Sequence, residues 1–213
     1  MVKPFDRVAP YYDRWIGRFM SGRLDRMVDL LSCSPDDVVL DLGGGTGLFA
    51  RRLLGRCGEI HLLDESSQMV EQVRHGKIKT RVGSGTEAPY PDRFFDAVVL
   101  SDVFHHIREQ DLLLDEVFRL LKPEGRLLVN EVDLDRVLGR IAGRLETLLF
   151  TRVFPTGFQH FCTRLEKRGF RLVDEVRDSW SFIGLWKLEA YSLGGLSVSH
   201  AELPENVDRF QVQ

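Results

Sequence analysis

The stretch "VVLDLGGGTG", Val38 to Gly47, constrains this chain more than any other. An apolar run ends in an acid, and four glycines then fill five positions. Glycine weakens helices and strands alike. A cluster this dense therefore marks a turn that something approaches closely. Directly beyond it, "GLFARRLLGR" predicts a helix closed by Gly55 or Gly58. Strand, glycine loop and helix, in that order, open a parallel α/β sheet.

The alternation continues. "EIHLLD" predicts a second strand, "SSQMVEQVRHG" a helix with a serine cap, and "KIKTRV" a third strand. "FFDAVVLSD" is apolar enough to be a central fourth strand. "DLLLDEVFRLLKPEG" reads as a helix stopped by Lys-Pro, and "GRLLVNEVD" as a fifth strand. "DRVLGRIAGRLETLLFTRVF" and "FQHFCTRLEKRGF" predict two further helices. "FRLVDEVRDSWSFIGLWKLEAYSL" predicts a closing pair of strands. Ahead of the first strand, "YYDRWIGRFMSGRLDRMVDLLS" has the apolar spacing of an amphipathic helix or helix pair.

The chain has 213 residues, which favours a single domain, 1–213. Within it we expect a helical cap over 1–33, a ligand-binding core over 34–133, substrate-side helices and closing strands over 134–193, and a loosely held tail over 194–213. A net charge of −3 gives no bulk electrostatic reason to expect nucleic acid. No apolar run is long enough to span a membrane, and "MVKPFDRVAP" lacks the apolar core of a signal peptide. The expectation is a cytoplasmic protein, monomer or homodimer, acting on a small molecule. Cys33, Cys57 and Cys162 are widely spaced and imply neither a zinc site nor a disulfide framework.

Sheets of this kind bind ligands outside the carboxyl ends of their strands. Asp64 ends the second strand, 21 positions after Gly43, a spacing that suits an acid accepting from both hydroxyls of a ribose. Two nucleosides compete. "GTGLFA" fits the dinucleotide pattern, so a nicotinamide cofactor and an oxidoreductase must be weighed. Asp41, however, would put negative charge near the pyrophosphate. A cofactor with a cationic ammonium, such as S-adenosylmethionine, suits that acid better.

Taken together, these motifs resemble the class I S-adenosylmethionine-dependent methyltransferases, in the branch that includes ubiquinone/menaquinone-biosynthesis and small-molecule enzymes. "VLDLGGGTG" resembles the family's first motif and "LLDESSQMVEQV" its ribose motif. "GTEAPYPDRFFDAVVLSDVFHHI" is similar to its adenine loop and fourth strand, and "LLKPEGRLLVNEVD" to the turn and strand after it. "FDRVAPYYDRW" resembles the start of the branch. The resemblance implies a Rossmann-like fold: a seven-stranded, mostly parallel sheet with one antiparallel strand near the C-terminus and helices on both faces. It implies cofactor contacts at Asp41, Gly43, Gly44, Gly45, Gly47, Asp64, Glu65, Met69, Gly83, Ser84, Gly85, Thr86 and Ser101, with Tyr12, or its neighbour Tyr11, covering the cofactor. Ser84 departs from the family, where many members carry an acid that accepts from the adenine amino group. A hydroxyl accepts without charge and holds more weakly.

Methyl transfer uses an electrophile that the cofactor already carries. Orientation supplies much of the rate, and a base is needed only when the acceptor loses a proton. The candidates for that base follow the fourth strand: His106 first, then His105 and Asp102. Pocket lining or helix capping would leave the same histidines in the same places. Glu131 and Asp133 end the fifth strand and are expected to border the crevice as solvated loop acids. The apolar face of 134–154 reads as sheet packing, a dimer surface or a lid over an apolar substrate. A non-catalytic protein that binds S-adenosylmethionine remains the alternative outside catalysis.

Overall fold

The structure is a computed structural model that describes residues 21–73, 76–149 and 153–189. Tyr11, Tyr12 and the tail 194–213 lie outside the described residues, as does most of the expected cap.

Seven strands form one sheet: β1 Val38–Leu42, β2 Glu59–Asp64, β3 Ile78–Val82, β4 Phe95–Ser101, β5 Leu121–Val132, β6 Phe170–Arg177 and β7 Ser181–Leu188. Their order is β3-β2-β1-β4-β5-β7-β6. The first five are parallel to one another, and β7 runs antiparallel to both β5 and β6. The chain leaves β1 toward β2 on one side and returns as β4 on the other. The switch point lies between β1 and β4, and a crevice opens there at their carboxyl ends.

The period-two pattern sorts the strands' side chains onto two faces. Val39, Leu62, Ala97, Val99, Leu128, Ile183 and Leu185 face one core. Helix α1, residues 21–31, covers that face with Leu24, Met27, Val28 and Leu31, a single stripe at helical spacing. Leu40, Leu42, Val98, Leu100, Leu127 and Val129 face the other core. There α3, Gln110–Leu120, buries Leu113, Leu114, Val117 and Leu120, and α5, Phe158–Glu166, buries Phe158, Phe161, Cys162 and Leu165. Phe161 packs edge-on to Phe104, with centroids 4.8 Å apart, and against Trp186 at 5.4 Å. Such aromatic pairs add roughly 0.5–1.5 kcal/mol beyond the area they bury.

Two predicted helices are shorter than their patterns. After the glycine loop the chain forms turns and a single 3₁₀ segment, Ala50–Leu53. The Arg52 N–H donates to Phe49 O at 2.8 Å and Arg56 N–H to Leu53 O at 2.9 Å, the tighter i→i+3 closure of that helix. The helix after β2 is confined to α2, Ser67–Val70, because Gln72 and Val73 also bond three residues back. The helix α4, Val137–Leu149, follows β5 as expected. No helix among the described residues is long and apolar enough to cross a membrane.

Candidate functional site

The loop after β1 is held to its neighbours on both sides. The Gly43 N–H donates to Leu63 O at 2.7 Å, tying it to β2. On the other side, a Cβ at Gly43 would overlap the Val103 side chain beyond β4. A Cβ at Gly44 would stand 2.7 Å from Asp41 Oδ2 and 2.9 Å from Leu62 Cδ1. Gly45 alone of these three, at φ +53°, would point a Cβ into open space. The close approach expected at this turn is made in part by the protein's own side chains. Packing between the two crossover loops accounts for Gly43, and the buried acid for Gly44. Gly45 leaves open space beside the backbone, while Gly47, at φ +78°, takes a turn that side chains rarely adopt, its Cβ position facing Val73 and Leu62.

Asp41 lies beneath this loop, 1% exposed. Its Oδ2 accepts from the Ala50 N–H at 3.2 Å, and its Oδ1 has no partner among the described residues. Burial pushes its carboxyl up to about 7; the Ala50 amide opposes that shift, and the Asp64 charge adds to it. An acid in this state is poised for a cation. Asp64, at the end of β2, accepts from the Gly45 N–H at 2.9 Å and the Ser66 N–H at 2.8 Å. The two acids and Gly45 thus form one cluster. Glu65 is exposed beside it, and Met69 is buried under α2, whose first turn is capped by Ser66 Oγ.

The loop after β3 approaches from the same end. Gly85 would bring a Cβ to 2.8 Å from Leu42 Cδ2, and Gly83 to 3.2 Å from Leu63 Cδ1, so both permit close packing on β1 and β2. Ser84 Oγ lies 2.9 Å from Thr86 Oγ1 and accepts from the Thr86 N–H at 3.3 Å.

Beyond β4 the chain bends at Asp102, where φ is +53°. The Asp102 N–H donates to Asn130 O at 2.9 Å, and its Oδ2 accepts from Asn130 Nδ2 at 2.8 Å. Asn130 Nδ2 also reaches Ser101 Oγ at 3.3 Å. His105 and Glu131 are each only 2% exposed, and Glu131 Oε2 holds the His105 Nδ1. Its other oxygen accepts from the Phe104 N–H at 2.7 Å. The carboxylate thereby sets the ring orientation and keeps the proton on Nδ1. His106 stacks at a tilt on His105, with centroids 4.0 Å apart. Burial, with His105 beside it, pushes the His106 imidazole down to about 3.

Glu131 and Asp133 are not solvated loop acids. Asp133 is fully buried, accepting from Phe158 N–H at 3.1 Å and Arg177 Nη2 at 2.7 Å. The sequence reading also missed Asn130 and Arg23. The only available signal was an amide interrupting the apolar run "LLVNEV"; nothing local marks Arg23.

A ligand with a cation and a ribose fits this end of the sheet. Asp41 offers a buried carboxylate oxygen with an open valence, Gly45 a backbone without a side chain, and Asp64 a second acid. Residues 40–129 match the methyltransferase domain family. The chain is 34% identical over 147 residues to the ubiquinone/menaquinone biosynthesis C-methyltransferase UbiE of Vibrio cholerae, covering 62% of this chain and 56% of that protein. UbiE of Hydrogenovibrio crunogenus is 34% identical over 144 residues, covering 60% and 56%. The chain thus spans a little over half the length of these curated relatives. In fold it is similar to a methyltransferase in complex with the Haloferax volcanii Trm112 activator, with TM-score 0.75, 16% identity and coverage of 89% and 100%. It is likewise similar to an S-adenosylmethionine-dependent methyltransferase of Thermotoga maritima, with TM-score 0.74, 22% identity and coverage of 88% and 98%. Residues 40–129 thus resemble the methyltransferase-domain family, and the seven-stranded sheet around them has the Rossmann-like fold of these solved methyltransferases.

Proposed function

We propose that this protein transfers a methyl group from S-adenosylmethionine to a small, partly apolar acceptor. The observation that carries this reading is the buried Asp41 oxygen without a partner among the described residues, in a loop where Gly45 faces open space. The cofactor supplies a methyl group already activated on a sulfonium. In this reading Asp41 receives the ammonium, Asp64 the ribose hydroxyls, Ser84 the adenine amino group, and Met69 an apolar edge of the base.

His106 stays neutral at ordinary pH, but an imidazole titrating near 3 is a weak base. Orientation therefore carries the larger share of the rate, by an amount that reaches roughly 7–11 kcal/mol for well-held reactants. His105, locked by Glu131, supports the wall of the site and is the second candidate for proton transfer. The name of the UbiE relatives favours carbon as the methylated atom.

Calorimetry with S-adenosylmethionine, its demethylated product and NAD tests the reading. Binding of the first two, weakened roughly tenfold or more by Asp64→Ala, is expected, because a bond to a charged acceptor is worth about 1.5–3 kcal/mol. Binding of NAD alone would overturn it.

A further inference from the structure

Helix α1 contributes more than packing. Its Arg23 reaches the carboxyl end of the sheet, where Nε–H donates to Asn130 Oδ1 and Nη1–H donates to Asp178 Oδ2 at 2.6 Å. The guanidinium lies over the Trp180 ring, 5.4 Å from its centroid. Its Nη2 is buried and has no partner among the described residues. Arg26, on the next turn, is exposed and makes no ion pair or hydrogen bond among the described residues.

Asp178 cannot neutralise both arginines, because its oxygens are already engaged. Oδ1 accepts from Trp180 N–H at 3.0 Å and Ser181 N–H at 2.8 Å, and both oxygens lie 2.9 Å from Ser181 Oγ. Arg23, Arg26 and Asp178 nevertheless line one cavity, with Gly22 and Ile183, of about 180 Å³. Two cations against one committed carboxylate leave this lining positive. No atom of the described residues lies within 4 Å of where a Cβ on Gly22 would stand, so among them the wall there is open.

The position of the cavity connects it to the candidate site. Ile183 pairs with Asn130, and Asn130 with Ser101, across β7, β5 and β4. Alternation puts this row on the α1 face, the face that Asp41 shares with Val39. The Asn130 amide spans the two places: its oxygen takes Arg23, and its nitrogen takes Asp102. One side chain thus separates the cavity from the loop after β4.

We propose that this cavity is a subsite for a carboxylate on the methyl acceptor, held between Arg23 and Arg26. The proposal rests on the methyltransferase reading and narrows it to acid-bearing acceptors. Paired guanidinium donors match a planar carboxylate in geometry as well as charge. The volume is below the roughly 300–1,000 Å³ that encloses a whole small molecule, so it is scaled to the acidic end of one.

The test uses benzoate as probe and benzamide as its neutral counterpart, titrated into the full-length protein by calorimetry. Benzoate is expected to bind saturably, benzamide at least tenfold more weakly, and Arg26→Gln to weaken benzoate at least fivefold. Arg26 is exposed, so this variant leaves the core untouched. Arg23→Gln, checked for folding by its melting curve, should weaken benzoate further. Equal binding of the two probes, no saturable benzoate binding, or wild-type affinity in Arg26→Gln would each overturn the subsite. S-adenosylmethionine is titrated into the same samples. Cofactor binding without benzoate binding removes the subsite and leaves the methyltransferase reading standing. Benzoate binding that Arg26→Gln weakens, in a protein that takes no cofactor, supports the anion site and removes the methyltransferase reading.

Discussion

The acids at the ends of β1 and β2 and those at the end of β5 look alike in the sequence and live differently in the fold. On the glycine-loop side, Asp41 and Asp64 accept from backbone amides of Ala50, Gly45 and Ser66, and one oxygen of Asp41 has no partner among the described residues. On the β5 side, Glu131 holds His105 and Asp133 holds Arg177. An acid with an unengaged oxygen, as Asp41 has among the described residues, keeps its affinity for a cation, and one already paired with a cation or an imidazole has spent it. The open oxygen of Asp41 is therefore available to a cation, while Glu131 and Asp133 serve the architecture around them.

Breaking the structural side should have the largest effect. Asp133→Ala strands Arg177 and uncaps the Phe158 amide at the start of α5. A loss of roughly 3–5 kcal/mol is expected, the usual cost of removing one partner from a buried ion pair. Urea unfolding measures it; a loss below about 1 kcal/mol would erase the distinction between the two ends.

The ligand side should respond in the opposite direction. Asp41 titrates at 3.8 when unfolded and near 7 when folded, so between those values the native state holds a proton that the unfolded chain has lost. Stability should fall as pH rises from about 4 to about 7 and level off above. Asp41→Asn removes that fall and should stabilise the protein at pH 8, by at most about 4 kcal/mol, while it weakens cofactor binding. Destabilisation at pH 8 would show that the carboxylate serves the fold.

The same titration sharpens the ligand argument. A cationic ammonium meets a charged Asp41 only after the proton leaves, so wild-type affinity for S-adenosylmethionine should rise by up to about tenfold per pH unit below 7 and flatten above. Calorimetry across that range, repeated on Asp41→Asn, would detect it. An identical slope in both proteins would assign the proton elsewhere.

At pH 8 the smallest effect is expected at His106. Its imidazole titrates near 3 in the fold and near 6.5 when unfolded, so the unfolded state takes up a proton first and stability drains as pH falls from 6.5 toward 3. His106→Gln should shift acid unfolding to lower pH and leave stability at pH 8 unchanged. Acid unfolding at an unchanged pH would place the imidazole in water.

Much of this protein could be read from local pattern. The apolar runs, the glycine cluster and the acids closing β1 and β2 depend on residues a few positions apart, where periodicity and turn chemistry act. The five parallel strands, the closing pair and the placement of Asp41 and Asp64 at one end follow from that order. Tertiary structure alone decided what each side chain faces. His105 and Glu131 are 26 positions apart, Arg177 and Asp133 are 44, and Arg23 and Asn130 are 107. Gly43 is bare because Val103 arrives from another crossover, and the 3₁₀ segment replaces an α-helix because Gly47 and Gly55 bound it at positive φ. An acid in a sequence carries its charge, but its state depends on partners brought to it by strand order. That order is set by burial of whole faces, which no single stretch of the chain encodes.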